Sequence, residues 1–229
     1  MSWRPGPLNH FFINNNTFTN QQLANMDVYQ FGVFTGGSML EIAGILGVNK
    51  MPINTFWGFD VFTGMPKELA EPIYQDDWDP DLVPDAFNAV LKTGSSGPEQ
   101  VAVNIQYDVQ NVFNYTLSSS QAKVVAGLVE QTLPAQQNLK PAFYVDFDMD
   151  IYSPTLAAFD YLMANKLIVP GTLIGYDDWG GTPDYETFGN GESRAHKEIV
   201  DKYDLGITKI YQEGPGFPHV QTIWQVDRV

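Results

Sequence analysis

Residues 28–47 read VYQFGVFTGGSMLEIAGILG, and this stretch decides the fold class. Its first part, VYQFGVF (28–34), is a short β-branched and aromatic run, the composition of a buried strand. The run breaks at Thr35-Gly36-Gly37-Ser38. Beyond the break Met39, Leu40, Ile42, Ala43, Ile45 and Leu46 recur at helical spacing, and Gly47 is a natural stop. Strand, glycine turn and helix in succession is the unit from which parallel α/β sheets are built.

The alternation continues along the chain. Further strand runs are TFWGFDVF (55–62), AKVVAGLV (122–129), AFYVDFDM (142–149) and GTLIGY (171–176). Helices are expected over 154–166, with Ser153 as cap and Pro154 in the first position, and near 190–203. Two last runs, ITKIYQ (207–212) and QTIWQV (221–226), have no helix between them, so one antiparallel strand is expected at the edge. The expected fold is α/β: a Rossmann-like, mostly parallel seven-stranded sheet with one antiparallel edge strand and helices on both faces. A chain of 229 residues fits a single domain, 1–229. Residues 1–26 are polar and asparagine-rich and read as an arm or a capping helix. Residues 66–121 far exceed the roughly 2–6 residues usual between such elements, so they read as an insertion or lid. That stretch holds expected helices at 84–92 and around 107–115, a GSSGP loop (94–98), and Asp76, Asp77, Asp79 and Asp81 around Trp78.

Composition narrows the function. There is no cysteine, which excludes disulfides, a thiolate nucleophile, zinc ribbons and iron–sulfur clusters. The formal charge of −15 repels phosphate backbones and anionic bilayers, so neither nucleic acid nor membrane is an expected partner. A salt-adapted surface would carry the same acidity. The N-terminal MSWRPGPLNHFF lacks the basic and apolar regions of a secretion signal, and a cytoplasmic protein is expected.

In open α/β sheets, ligands bind at the carboxyl ends of the strands. Those ends carry the glycine turn after the first run, Asp60 after the second, Asp148 and Asp150 after the fourth, and Asp177-Asp178 after the fifth. By the strand period of two, Asp146, Asp148 and Asp150 share a face. The turn, Gly32-x-x-x-Gly36-Gly37, is neither the dinucleotide fingerprint nor a phosphate loop, and no lysine accompanies it. With Asp60 at the next strand end, placed to accept hydrogen bonds from ribose hydroxyls, it points to an adenosyl ligand. Converging carboxylates with few bases are reconciled by a hard divalent cation. Helix capping, or pairing with Lys166, is the alternative for Asp146 and Asp150. GESRA (191–195) reads as a helix N-terminus rather than a nucleophile turn. His10, His196 and His219 lie too far apart for a local metal motif. Trp179, directly after the paired aspartates, is the tryptophan best placed to touch a substrate.

The segments VYQFGVFTGGSM, FWGFDVFTGMP, GLVEQTLP, DMDIYSPT, GTLIGYDDW and GESRAHKEI, in this order, resemble the motifs of the macrocin O-methyltransferase family. The resemblance covers about residues 28–200. It implies a class I, S-adenosylmethionine-dependent enzyme that methylates a hydroxyl of a small molecule, of sugar or phenolic natural-product type, with Mg2+ or Mn2+. Gly32, Gly36, Gly37 and Ser38 match the family's glycine turn around the methionine end of the cofactor, and Asp60 its ribose-binding acid. Asp148, Asp150 and Tyr152 match its Asp-x-Asp-x-Tyr segment, and Asp177 and Asp178 its paired acids. The implied metal ligands are Asp148, Asp177 and Asp178, with Asp148 also the proton acceptor. The extra Asp146 permits an alignment displaced by two. Gln30 stands where the family usually has Glu, and it joins the cofactor-binding set as an uncharged acceptor. That departure keeps a non-catalytic cofactor-binding protein open as an alternative; a related hydroxylase or hydrolase is the other, since some sequences with these motifs are described as hydroxylases. The arm and the resemblance together point to a homodimer.

Overall fold

The computed structural model describes residues 5–66, 68, 97–179, 191–212 and 221–229. Its strands are β1 (Asp27–Phe31), β2 (Thr55–Asp60), β3 (Gln121–Ala126), β4 (Ala142–Phe147), β5 (Leu173–Tyr176), β6 (Gly206–Gln212) and β7 (Thr222–Arg228). They form one seven-stranded sheet in the order β3-β2-β1-β4-β5-β7-β6. The pairs β3–β2, β2–β1, β1–β4 and β4–β5 are parallel. Strand β7 runs antiparallel to both β5 and β6. The expected antiparallel strand is therefore the inner member of the edge pair, and β6 is the outermost strand. Strand order reverses between β1 and β4, so the loops leaving these neighbours diverge and open a crevice above their carboxyl ends.

Both faces of the sheet are covered, which is why its central strands read as unbroken apolar runs rather than alternating ones. On one face pack α1 (Pro5–Asn14), α3 (Gly37–Val48) and α4 (Pro98–Thr116), around Phe12, Val28, Ile42, Phe56, Val109 and Phe143. On the other lie α5 (Val129–Thr132), α6 (Tyr152–Ala164) and α7 (Gly191–Tyr203). The short α2 (Asn20–Leu23) leads into β1 and starts in a capping box between Thr19 and Gln22.

Over its described part the N-terminal stretch takes the capping-helix alternative: Leu8 and Phe12 of α1 are buried, and Phe12 stacks edge-on against Phe143 and Tyr144. Two expectations need correction. Helix α4 starts at Pro98, earlier than residue 107, and buries Ala102, Ile105, Val109 and Phe113. It is the crossover helix between β2 and β3, so the end of the 66–121 stretch belongs to the core. The expected helix at 84–92 and the acidic patch at 76–81 lie outside the described residues. Helix α6 begins at Tyr152 with Ile151 as N-cap, and Ser153 is not the cap. The orphan N–H of Ser153 is satisfied instead by the buried Glu68 carboxylate, which also accepts from the Ser153 hydroxyl, both at 2.6 Å.

One row of rings sets the height of the site. Phe59, Phe31, Phe147 and Tyr176 are in register across β2, β1, β4 and β5, with centroids 5.4, 5.4 and 5.3 Å apart. All four are buried. Each such ring stabilises the fold by roughly 1.5–3 kcal/mol through burial alone. The residue after each ring is Asp60, Gly32, Asp148 or Asp177, so the packed row places four candidate site residues side by side at the sheet edge.

Candidate active site

Above that row lies a cavity of about 350 Å3. Its lining includes Gly32 and Phe34 from the glycine turn, Asp60, Leu128 and Val129, Asp148 and Asp150, and Asp177 and Asp178. Its size falls within the roughly 300–1,000 Å3 typical of small-molecule sites.

The glycine turn is fixed from two sides. Asp60 Oδ2 accepts the backbone N–H of Val33 at 2.7 Å and of Phe34 at 2.8 Å, and Oδ1 accepts that of Phe62 at 2.7 Å. Phe34 and Phe62 both hold left-handed backbone, φ 51° and 52°, a conformation a bulky residue keeps only when its surroundings impose it. The Asp60 carboxylate supplies that constraint. On the other side Gly32, φ 84°, lies against the next loop: a Cβ there would sit 1.7 Å from the Asp148 carbonyl oxygen. No other residue fits, because the turn and the Asp148 loop meet at this point.

Gln30 is fully buried in β1. Its Nε2 donates to the Gly32 carbonyl at 3.0 Å and to Ser38 Oγ. Its Oε1 has no hydrogen-bond partner among the described residues. A buried acceptor without a donor is a site for an incoming donor, and an ammonium is one. Helix α3 follows Gly36 with no side-chain cap, so its first-turn N–H groups suit a carboxylate or other anion. Gln30, Gly36, Gly37 and Ser38 stand around this turn and are not among the residues lining the cavity.

Asp148, Asp177 and Asp178 each offer a carboxylate oxygen within 4.8 Å of the others. This oxygen-only set fits a hard divalent cation. The three acids come together because β4 and β5 are neighbours and end at the same level; Asp148 N–H donates to the Phe31 carbonyl and Asp177 N–H to the Phe147 carbonyl. Gln221 Nε2 donates to Asp177 Oδ1. The three acids at 146, 148 and 150 do not share one strand face. Strand β4 ends at Phe147; Asp146 is buried inside it, accepting from the Tyr144 hydroxyl at 2.7 Å. Asp148 and Asp150 lie in the loop beyond, and Asp150 has φ 62°. Asp146 is thus outside the cavity and Asp150 lines it.

Trp179 is not a cavity residue. It is buried against Tyr176, His196 and Trp224, with centroids 5.0, 4.9 and 5.0 Å away. His196 is buried in the same cluster, 2.9 Å from the Tyr176 hydroxyl through Nδ1, and burial pushes its imidazole down to about 3. His10 is exposed on α1 and bonded to Asn14, and His219 lies outside the described residues.

One residue at the site was not visible from sequence. Glu192, read only as part of a helix start, is completely buried. Its Oε1 accepts the Met149 N–H at 2.9 Å and its Oε2 the Asp178 N–H at 3.1 Å. Burial, then the charge of Asp178, with that of Asp148 adding, push its carboxyl well above the usual range, against the pull of the two backbone donors. Its partners lie 43 and 14 residues away, a separation that carries no local pattern.

The family model for macrocin O-methyltransferase (TylF) matches residues 14–204. Among solved structures, the O-methyltransferase NovP is 22% identical with a TM-score of 0.63, over 98% of this chain and 80% of that one. The calicheamicin methyltransferase CalS11 is 22% identical with a TM-score of 0.56, over 87% of this chain and 72% of that one. TomG from Streptomyces achromogenes, involved in tomaymycin synthesis and solved with S-adenosylmethionine, is 15% identical with a TM-score of 0.50, over 99% and 81%. At these identities the likeness is one of fold. No curated protein matches the sequence.

Proposed function

The chain belongs to the macrocin O-methyltransferase family, and from that premise we propose that it moves a methyl group from S-adenosylmethionine to a hydroxyl of a small sugar or phenolic molecule with the help of a divalent cation. The observation that carries the reading is the meeting of two halves at one cavity. Asp60 with Gly32, Val33 and Phe34 of the glycine turn lines it beside the triad Asp148, Asp177 and Asp178.

When bound, the cofactor supplies an electrophilic methyl group and the cation supplies Lewis acidity toward the acceptor hydroxyl. The residues of the chain do the rest. Gln30 Oε1, without a partner among the described residues, would accept from the ammonium of the cofactor, and the uncapped start of α3 would suit its carboxylate. Asp60 spends three of its roughly four acceptor positions on backbone N–H groups, which leaves one toward a ribose hydroxyl. Asp148, Asp177 and Asp178 would hold the cation. Asp148, at the junction of both halves, accepts the hydroxyl proton. Gly32 against the Asp148 loop keeps the two halves at fixed spacing, which would orient the acceptor hydroxyl toward the cofactor's methyl group. A uncharged Gln30 in place of Glu weakens the grip on the ammonium without removing the acceptor.

The test is production of S-adenosylhomocysteine from S-adenosylmethionine with a panel of hydroxylated acceptors, with and without EDTA. Asp178→Ala is expected to abolish metal-dependent turnover and to leave cofactor binding nearly intact. Unchanged turnover in Asp178→Ala would sink the metal assignment, and cofactor binding without turnover on any acceptor would favour a non-catalytic role.

A further inference from the structure

We propose that Glu192 is a positioning residue that sets the geometry of the cation site by clamping together the two loops that carry its ligands. The inference rests on the cation reading above and deepens it.

The clamp is a single buried carboxylate shared between two backbones. One oxygen takes the N–H of Met149, the residue after Asp148; the other takes the N–H of Asp178 itself. Paired residues of β4 and β5 end at Phe147 and Tyr176, and the Asp177 N–H still donates to the Phe147 carbonyl just beyond them. Glu192 extends the connection by one more step, at the level where the three carboxylates gather. A second feature of α7 serves the same contact. Gly191 has φ 51°, and a Cβ there would lie 2.7 Å from the Asp150 carbonyl oxygen. The helix start can therefore rest directly on the loop of Asp148 and Asp150 only because residue 191 lacks a side chain.

The choice of residue is costly unless it has such a role. A carboxylate has been buried beside Asp178 and Asp148, whose like charges oppose its own. Glutamine has the same length but only one oxygen, so it satisfies one N–H and turns an amide N–H toward the other. Aspartate is a methylene shorter and cannot span the same gap. Only glutamate offers two acceptors at this reach.

The test is titration of the purified full chain with Mn2+, followed by electron paramagnetic resonance, for the parent, Glu192→Gln and Glu192→Ala, with thermal unfolding and S-adenosylmethionine binding measured on the same samples. Removing an outer partner of metal ligands typically weakens metal affinity about 10- to 100-fold, the loss expected for Glu192→Ala. Glu192→Gln, which keeps one of two acceptors, is expected to lose roughly 3- to 10-fold. Cofactor affinity without metal is expected to stay at the parent value. A residue with only a structural role would lower the unfolding temperature and leave the Mn2+ affinity of the folded protein unchanged; that result overturns the inference. If Glu192→Ala does not fold, the isosteric Glu192→Gln decides alone. A parent that fails to bind Mn2+ overturns the cation reading and this inference with it, whereas a parent that binds and variants that bind equally well overturn only the clamp.

Discussion

Replacing Asp60 by asparagine should unlock the glycine turn, and the size of the effect follows from its three hydrogen bonds. In the parent, Oδ2 serves Val33 and Phe34 and Oδ1 serves Phe62, at 2.7–2.8 Å. Asparagine has one oxygen. Its better orientation keeps that oxygen on Val33 and Phe34 and turns the amide N–H groups toward the N–H of Phe62. One bond is lost, two lose their charge assistance, and a donor is left facing a donor. Bonds to a charged acceptor contribute about 1.5–3 kcal/mol each and neutral ones about 0.5–1.5. With Asp60 half-buried rather than dry, the net loss is roughly 2–4 kcal/mol, enough to release the left-handed backbone of Phe34 and Phe62. For a chain of this size each kcal/mol lowers the unfolding midpoint by about 2–4 °C. Thermal unfolding by circular dichroism should therefore show Asp60→Asn melting roughly 4–16 °C below the parent without any ligand. Calorimetry should then show weaker S-adenosylmethionine binding by the folded variant. A variant that melts with the parent and binds the cofactor equally well would refute the assignment of Asp60 as the organiser of the turn.

Two further perturbations separate core from site. His196 stays neutral in the folded state because burial pushes its pKa from 6.5 to about 3. As pH falls below 6.5 the unfolded chain takes up a proton that the folded one refuses, so stability is lost at about 1.4 kcal/mol per pH unit until the folded pKa is reached. Urea unfolding at pH 6.5 and 5 should show the parent losing about 2 kcal/mol more than His196→Gln; equal losses would show that the imidazole is not buried neutral. Phe12→Ala should cost about 3–5 kcal/mol, because this ring of the N-terminal helix is fully buried against Phe143 and Tyr144. A urea midpoint within error of the parent would return the N-terminal stretch to the status of an arm.

The sheet was legible in the sequence because its central strands β1, β2, β4 and β5 are buried on both faces and therefore appear as compact β-branched and aromatic runs between glycine and proline breaks. The triad was legible for the same reason: when strand ends align, the residue after each apolar run falls at the same edge, as Asp60, Asp148 and Asp177 do. What failed was tied to single long-range contacts. Trp179 follows the paired acids but turns into the cluster of His196 and Trp224, because sequence adjacency says nothing about side-chain direction once a strand has ended. Ser153 had the composition of a cap, yet Glu68, far away in sequence, takes that duty. Leu8 and Phe12 were hidden because the stretch around them is polar and asparagine-rich, although both are buried from a short helix. Glu192 had no signal at all, since its function lies in two backbone N–H groups on other elements.

The central claim is that the Gln30–Ser38 turn with Asp60 holds S-adenosylmethionine beside a cation site, and its most direct test is calorimetric titration of the protein with that cofactor in magnesium buffer. The account predicts saturable, one-to-one binding that Asp60→Asn weakens and Asp178→Ala leaves nearly unchanged. No binding up to millimolar cofactor would contradict it.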